Sequence, residues 1–256
     1  MEFILIGLVA LFASTLTFFS GFGLGTMLLP AFALFFSLEY AIALTGIVHL
    51  LNNLFKTGLV GSYINFKTLI VFGTPAIIGA YFGSTLLLSM TELDSAYSYT
   101  LFENTTQVSW TQVVVGILLI IFAFLDKKTL SKRMKVPSWV LPIGGSISGF
   151  FGGLSGHQGA LRTAFLAQLK LSKESFIATG IAIACLVDFT RIPMYFSNVE
   201  QVKELPYLIM LTAVMCASIG AVLGKRFLKK ISLEAVHNII ALLITVTGIS
   251  MLLGWL

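Results

Sequence analysis

Charge is scarce in this chain. Only 27 of the 256 residues are charged, 16 basic and 11 acidic, or 11%, where soluble domains carry about 25%. That scarcity argues against a soluble enzyme, a nucleic-acid binder and a disordered chain, because each depends on solvated polar or charged surface. Cysteine is equally sparse. Cys185 and Cys216 lie far apart inside apolar segments with neither CxxC nor CxxH spacing, so no disulfide framework or zinc site is implied, and Cys185 reads as a small buried hydrophobe. There is no HExxH, paired-carboxylate or nucleophile motif, so neither an enzymatic activity nor a cofactor is expected. Met1 and Glu2 supply no basic leader region, and the segment from Phe3 is expected to belong to the mature protein.

What is plentiful is apolar surface, 57% of residues against roughly 45 to 50% in soluble proteins. Runs from Phe3 to Phe19, Tyr40 to Val60, Thr68 to Met90, Trp110 to Leu125, Ser138 to Ser155, Ser175 to Ser197, Pro206 to Gly224 and Val236 to Leu256 approach the length needed to span a bilayer. Leu24 to Phe36 and Gly159 to Leu171 are shorter and follow glycine-rich breaks. At about 1.5 Å per residue each reaches about 20 Å, short of a hydrocarbon core of about 30 Å, and is expected to be a half-helix. Trp110, Trp139 and Trp255 lie near segment ends and read as interface anchors, and His237 as interfacial.

An internal repeat is legible. Residues 20–47 and 154–181 align without a gap at an offset of 134, with Gly25/Gly159, Ala33/Ala167, Thr45/Thr179, Gly46/Gly180 and Ile47/Ile181 identical. At an offset of 141, Ala76/Ala217, Ile78/Ile219, Gly79/Gly220, Ala80/Ala221 and Gly83/Gly224 agree, in the same order along the chain. The expected organisation is a first transmembrane repeat at 1–126, a basic linker at 127–137 and a second repeat at 138–256.

Basic residues then orient the halves. If each glycine-broken stretch is a hairpin returning to its own side, loops 61–67, 127–137, 170–174 and 225–234 hold twelve of the sixteen basic residues and the outer loops hold Lys203 alone. The positive-inside rule makes the first group cytoplasmic and puts both termini outside. It also accounts for the net charge of +5 without nucleic acid. Each half becomes a hairpin plus three spanning helices, an odd effective count, so the halves are expected to have opposite orientation. The fold class is an all-α polytopic membrane protein of two inverted-topology repeats, the plan of secondary transporters.

Opposed hairpins would bring two glycine tips, Ser20 to Thr26 (with Gly21, Gly23 and Gly25) and Gly152 to Gly159, towards the midplane. The second arm of each starts there, pointing free N–H groups and the positive end of its dipole inward, where an anion can bind. The simpler function of glycine, close helix packing, is expected of Gly79xxxGly83 and Gly220xxxGly224. Ionisable residues inside the membrane are candidates by default. Gly156, His157, Gln158 and Gly159 form the second tip, and Arg162 lies one turn beyond it; Arg162 either meets the anion or snorkels to an interface. His49, Asn52, Asn53 and Lys56 share one helix face, which must meet protein, a cavity or, for Lys56, the inner interface. Asp188 and Arg191 are one turn apart and can pair, either as a structural ion pair or in transport. His49 and Asp188 are the candidate coupling groups, because protonatable side chains within membranes act as relays.

SGFGLGTMLLPAFAL (Ser20 to Leu34) and GGLSGHQGALRTAFL (Gly152 to Leu166), set in a duplicated plan, resemble the sulfite exporter TauE/SafE family over essentially the whole chain. The resemblance implies a secondary transporter of the plasma (inner) membrane, moving a small sulfur-containing anion such as sulfite or an organosulfonate, with the lipid bilayer and a coupling proton as its other partners. Phe22 and Leu24 interrupt a glycine run that is often denser in that family. A passive anion channel is the alternative that the same dipoles could serve.

Overall fold

The computed structural model describes residues 2–18, 24–101, 104–129, 138–198, 205–227 and 233–256. The first half contains α1 (Glu2–Thr17), α2 (Leu24–Ala33), α3 (Leu38–Val60), α4 (Phe66–Thr91), a strand pair β1 (Tyr97–Leu101) and β2 (Asn104–Val108), and α5 (Trp110–Thr129). The second contains α6 (Leu141–Ser155), α7 (Gly159–Leu166), α8 (Lys173–Asn198), α9 (Tyr207–Phe227) and α10 (Leu233–Leu252). α3, α4, α8 and α9 are long and apolar enough to cross a bilayer. The protein is a multi-pass helical membrane protein, in which intrahelical hydrogen bonding satisfies the backbone where water cannot.

Two elements differ from the expectation. The half-helices are shorter, 10 residues in α2 and 8 in α7. Phe35 and Phe36 both donate to Phe32 O at 3.0 Å, while Gln168 and Leu169 turn back three residues to Phe165 O and Leu166 O. These tightened last turns end both helices inside apolar sequence, where hydropathy carries no stop signal. The segment 90–111, read from the sequence as a loop between apolar runs, contains the antiparallel pair β1–β2. Its tyrosines alternate with period two, so Tyr97 and Tyr99 share a face. Their hydroxyls donate to Leu252 O and Leu253 O, and Gln112 Nε2 donates to Leu256 O at 2.6 Å.

Glycine sets the helix pairs. On α6, a Cβ at Gly145, Gly149 or Gly153 would collide with the carbonyls of Phe72, Ala76 and Ala80 on α4. Reciprocally, a Cβ at Gly79 or Gly83 of α4 would strike the backbone of Ser146 and Phe150. α9 uses Gly220 and Gly224 against Leu11 and Thr15 of α1 in the same manner. Gly116 of α5 and Gly248 of α10 face each other's carbonyls, a Cβ on either falling 2.8 Å or less from the partner oxygen. Small residues thus let backbones approach, and dispersion between them holds helices that lipid would otherwise solvate equally well. α4 of the first half packs on the hairpin of the second, and α9 of the second on the hairpin of the first.

Asn65, Lys67, Trp139, Leu141 and Lys170 line one groove, near which Asn65 N donates to Thr179 Oγ1 at 2.9 Å. Leu5, Leu34, Trp255 and Leu256 line a second groove.

Gly149→Ala should cost about 1–3 kcal/mol, because the new methyl must push α4 and α6 apart. Gly58 has no atom within 4 Å of where a Cβ would stand, and Gly58→Ala should be neutral or stabilise the helix by up to about 1 kcal/mol. Thermal unfolding in detergent compares the two; equal melting temperatures would remove glycine contact as the basis of the α4–α6 pair.

Candidate functional site

α3 and α8 meet at the centre of the molecule through one carboxylate. Asp188 is fully buried. Its Oδ2 lies 2.6 Å from His49 Nδ1, and its Oδ1 accepts from Arg191 Nε and Nη2, each at 2.9 Å. An ionised carboxylate only accepts, so His49 donates through Nδ1. Its Nε2 is then free to accept from Asn53 Nδ2 at 3.3 Å. Both roles of a neutral imidazole are thereby filled.

Arg191 occupies a slot made by glycine. A Cβ at Gly46 of α3 would stand 3.2 Å from its Nη2, and a Cβ at Gly156 would stand 2.9 Å from its Nη1. Gly156 caps α6 with φ +80° and returns its N–H to Gly152 O at 2.9 Å, a left-handed cap that glycine adopts without steric cost. The same residue thus stops α6 and leaves room for the guanidinium. Tyr195, one turn beyond Arg191, donates to Gly153 O at 2.6 Å and ties α8 to α6.

The rest of the second tip is buried. His157 Nδ1 donates to Ser155 O at 2.7 Å, while its Nε2 and both side-chain polar atoms of Gln158 meet no hydrogen-bond partner among the described residues. Gln158 packs over Gly152. From Gly159 the chain enters α7, whose first turn closes with Arg162 N on Gln158 O at 3.0 Å. The Arg162 side chain is buried, beside Gly180 of α8. Of the first tip, Ser20, Gly21 and Gly23 lie outside the described residues. Gly25 and Thr26 are buried in the first turn of α2, where a Cβ at Gly25 would stand 3.4 Å from Thr45 and 3.8 Å from His49.

One cavity joins these elements. It holds about 30 Å³ for the centre of a water-sized sphere, more than a single water needs. Polar groups on its wall are Thr17, His49, Asn53, Lys56, Arg162 and Thr163, and its apolar lining includes Phe18, Leu24, Leu166 and Phe176. Among the described residues, no carboxylate lines it. Leu24 opens α2 and Arg162 is in the first turn of α7, so both half-helices reach this space. Of the described candidate residues, His49, Asn53 and Arg162 are on the wall, whereas Gly25, Thr26, Asn52, Gly156, His157, Gln158, Gly159, Asp188 and Arg191 are not.

Asn52 is completely buried and faces α9. With its amide oriented by the surrounding network, it donates to Ala217 O at 3.2 Å and accepts from Lys56 Nζ at 3.0 Å. The polar stripe expected on α3 divides accordingly: His49, Asn53 and Lys56 face the cavity, and Asn52 steers Lys56. Tyr195, Thr17 and Thr163 are site residues that the sequence did not single out. The i, i+3, i+4, i+7 spacing included Lys56, but the snorkelling alternative covered it equally well. Among the described residues no group of three or more His, Cys, Asp or Glu side chains could hold a metal.

A model of the family described as Sulfite exporter TauE/SafE matches residues 6–251. No curated protein and no solved structure matches the chain.

Asp188 substitutions should separate charge from hydrogen bonding. Asp188→Ala leaves the buried Arg191 and His49 without their acceptor and should cost about 3–5 kcal/mol. Asp188→Asn should cost less, because its oxygen still accepts from Arg191 and its NH2 donates to His49 Nδ1 once the ring proton moves to Nε2 and the Asn53 amide turns its oxygen to accept it. Denaturation of the two variants in detergent tests the order, and an Asn variant as unstable as Ala would contradict it.

Proposed function

The chain belongs to the sulfite exporter TauE/SafE family, and from that premise we propose that it is a secondary transporter of a small sulfur-containing anion such as sulfite or an organosulfonate, working as an exporter and coupled to protons. Members of the family are membrane transporters rather than enzymes, and this protein is a multi-pass transporter of that kind. The observation that carries the substrate reading is the balance of buried charge. Lys56, Arg162 and Arg191 are buried cations and Asp188 is the one buried carboxylate among the described residues, so with neutral His49 the core holds an excess of two positive charges. An uncompensated charge is expensive in a bilayer, and a small anion in the carboxylate-free cavity balances it.

In this reading the anion sits near the midplane beside His49, held by Arg162 and Asn53 and by the N-terminal ends of α2 and α7. Residues 1–126 and 138–256 act as inverted-topology repeats joined by the basic linker 127–137. The exchange of partners, α4 with α6 and α9 with α1, supports that symmetry. The linker faces the cytoplasm, both termini face outward, and the membrane is the plasma (inner) membrane. His49 and Asp188 form the coupling pair, since the hydrogen bond between them is the one most directly altered by protonation of either group. Arg191 anchors Asp188 and the second tip beside it.

Three measurements test this. Arg162→Ala should weaken anion binding more than Lys203→Ala, because a charge in a low-dielectric site is screened far less than one in an outer loop; equal affinities by calorimetry would take Arg162 out of the site. In proteoliposomes the wild type should accumulate sulfite under an imposed pH gradient, whereas a channel would only equilibrate it, and Asp188→Asn should keep anion exchange but lose the pH-driven component. Cysteines introduced at positions 100 and 132 should label differently with an impermeant thiol reagent on intact cells, and outside labelling at 132 would reverse the assigned orientation.

A further inference from the structure

Lys56 is a buried cation with no carboxylate partner among the described residues. It is 4% exposed, so its ammonium does not reach the interface. No carboxylate lies within 4 Å of it among the described residues, since Asp188 is engaged by His49 and Arg191. Its described partners are the Asn52 oxygen at 3.0 Å and the face of the Phe18 ring, 5.6 Å to the centroid. An ammonium has three donors, and a neutral amide with an aromatic face offsets only part of the desolvation of a full charge. The remaining side of Lys56 borders the cavity whose wall also carries Arg162. Lys56 comes from the first half and Arg162 from the second, so two cations from different halves bound one small space.

We propose that Lys56, aimed by Asn52 and Phe18, supplies the second positive charge of the anion site and makes it select a divalent oxyanion over a monovalent sulfonate carrying the same SO3 head. The proposal rests on the reading of this cavity as the anion site. One wall cation is neutralised by a monovalent anion, whereas two are neutralised by a dianion; removing Lys56 therefore penalises the dianion selectively. Asn52 is then a positioning residue, acting on the anion only through Lys56.

The test is binding of labelled sulfite at pH 8, where it is a dianion, to the full-length protein in lipid nanodiscs, with methanesulfonate as the monovalent competitor. Lys56→Met replaces the ammonium with an apolar chain of similar length suited to a buried position. It should weaken sulfite binding by at least about tenfold while methanesulfonate competition changes by less than about threefold. Lys56→Arg should recover most of the sulfite preference. Lys56→Gln serves as the second neutral variant, with melting temperatures checking that both fold. Unchanged sulfite affinity, an equal loss for both anions, or no recovery with arginine would overturn the proposal. If sulfite binding is lost in Arg162→Ala but untouched by Lys56→Met, the anion site stands and the role of Lys56 falls. If the wild type binds no sulfite, the divalent preference and the role of Lys56 fall, and the anion site stands or falls on direct binding of the sulfonate.

Discussion

The hydrogen bonds to Asp188 are the interaction on which the centre of this molecule depends. A carboxylate with no solvent exposure must find its compensation within the protein, and Asp188 finds it on two helices at once. His49 comes from α3 and Arg191 from its own helix α8, so the carboxylate both neutralises a buried guanidinium and joins the two halves of the chain. Because each oxygen has a different partner, a change in the protonation of Asp188 or His49 acts directly on the α3–α8 contact. The compensation of the buried carboxylate and the contact between α3 and α8 are one set of atoms.

That arrangement is possible only because glycine has been placed where side chains would intrude. Gly46 and Gly156 form the two walls against Arg191, whereas a Cβ at Gly180 would meet Arg162 only in ordinary contact, at 3.5 Å. Gly46 and Gly180 occupy corresponding positions in the two halves, yet each accommodates an arginine from a different element. Farther out, the glycine ladders between α4 and α6 and between α1 and α9 bring the hairpins against the core, so that α2 and α7 start close enough to share a cavity. Close approach of backbones also favours dispersion, which in lipid takes over the part that burial of apolar surface plays in water.

The sequence made the class, the half-helices and the use of glycine legible, because each leaves a one-dimensional mark: apolar length, short pieces after glycine breaks, and GxxxG spacing. It also grouped His49, Asn52, Asn53 and Lys56 on one face. What it could not carry was the partner of each polar group. Asp188 and Arg191, at i and i+3, were visible as a pair, but His49 is 139 residues from Asp188, and no local pattern links them. Asn52 turning away from the stripe towards Ala217 depends on where α9 packs. The strand pair at 97–108 escaped for a different reason: its alternation is short, and the acceptors that fix its tyrosines belong to the last turn of α10 and the residues just after it.

The two sides of the Asp188 cross-link are not equivalent. On one side lies the cavity, bounded by Lys56 and Arg162 and by Phe176 and Ile177 near the start of α8. On the other, Arg191 fills the gap between Gly46 and Gly156, and Tyr195 fastens α8 to Gly153, within a continuous apolar cluster that includes Tyr40, Leu87 and Leu154. Arg191 can leave that slot only if Asp188, which holds it at 2.9 Å, moves with it or releases it. His49 bonds the other oxygen of the same carboxylate, so one side chain fixes both the imidazole that faces the cavity and the guanidinium that fills the gap behind it.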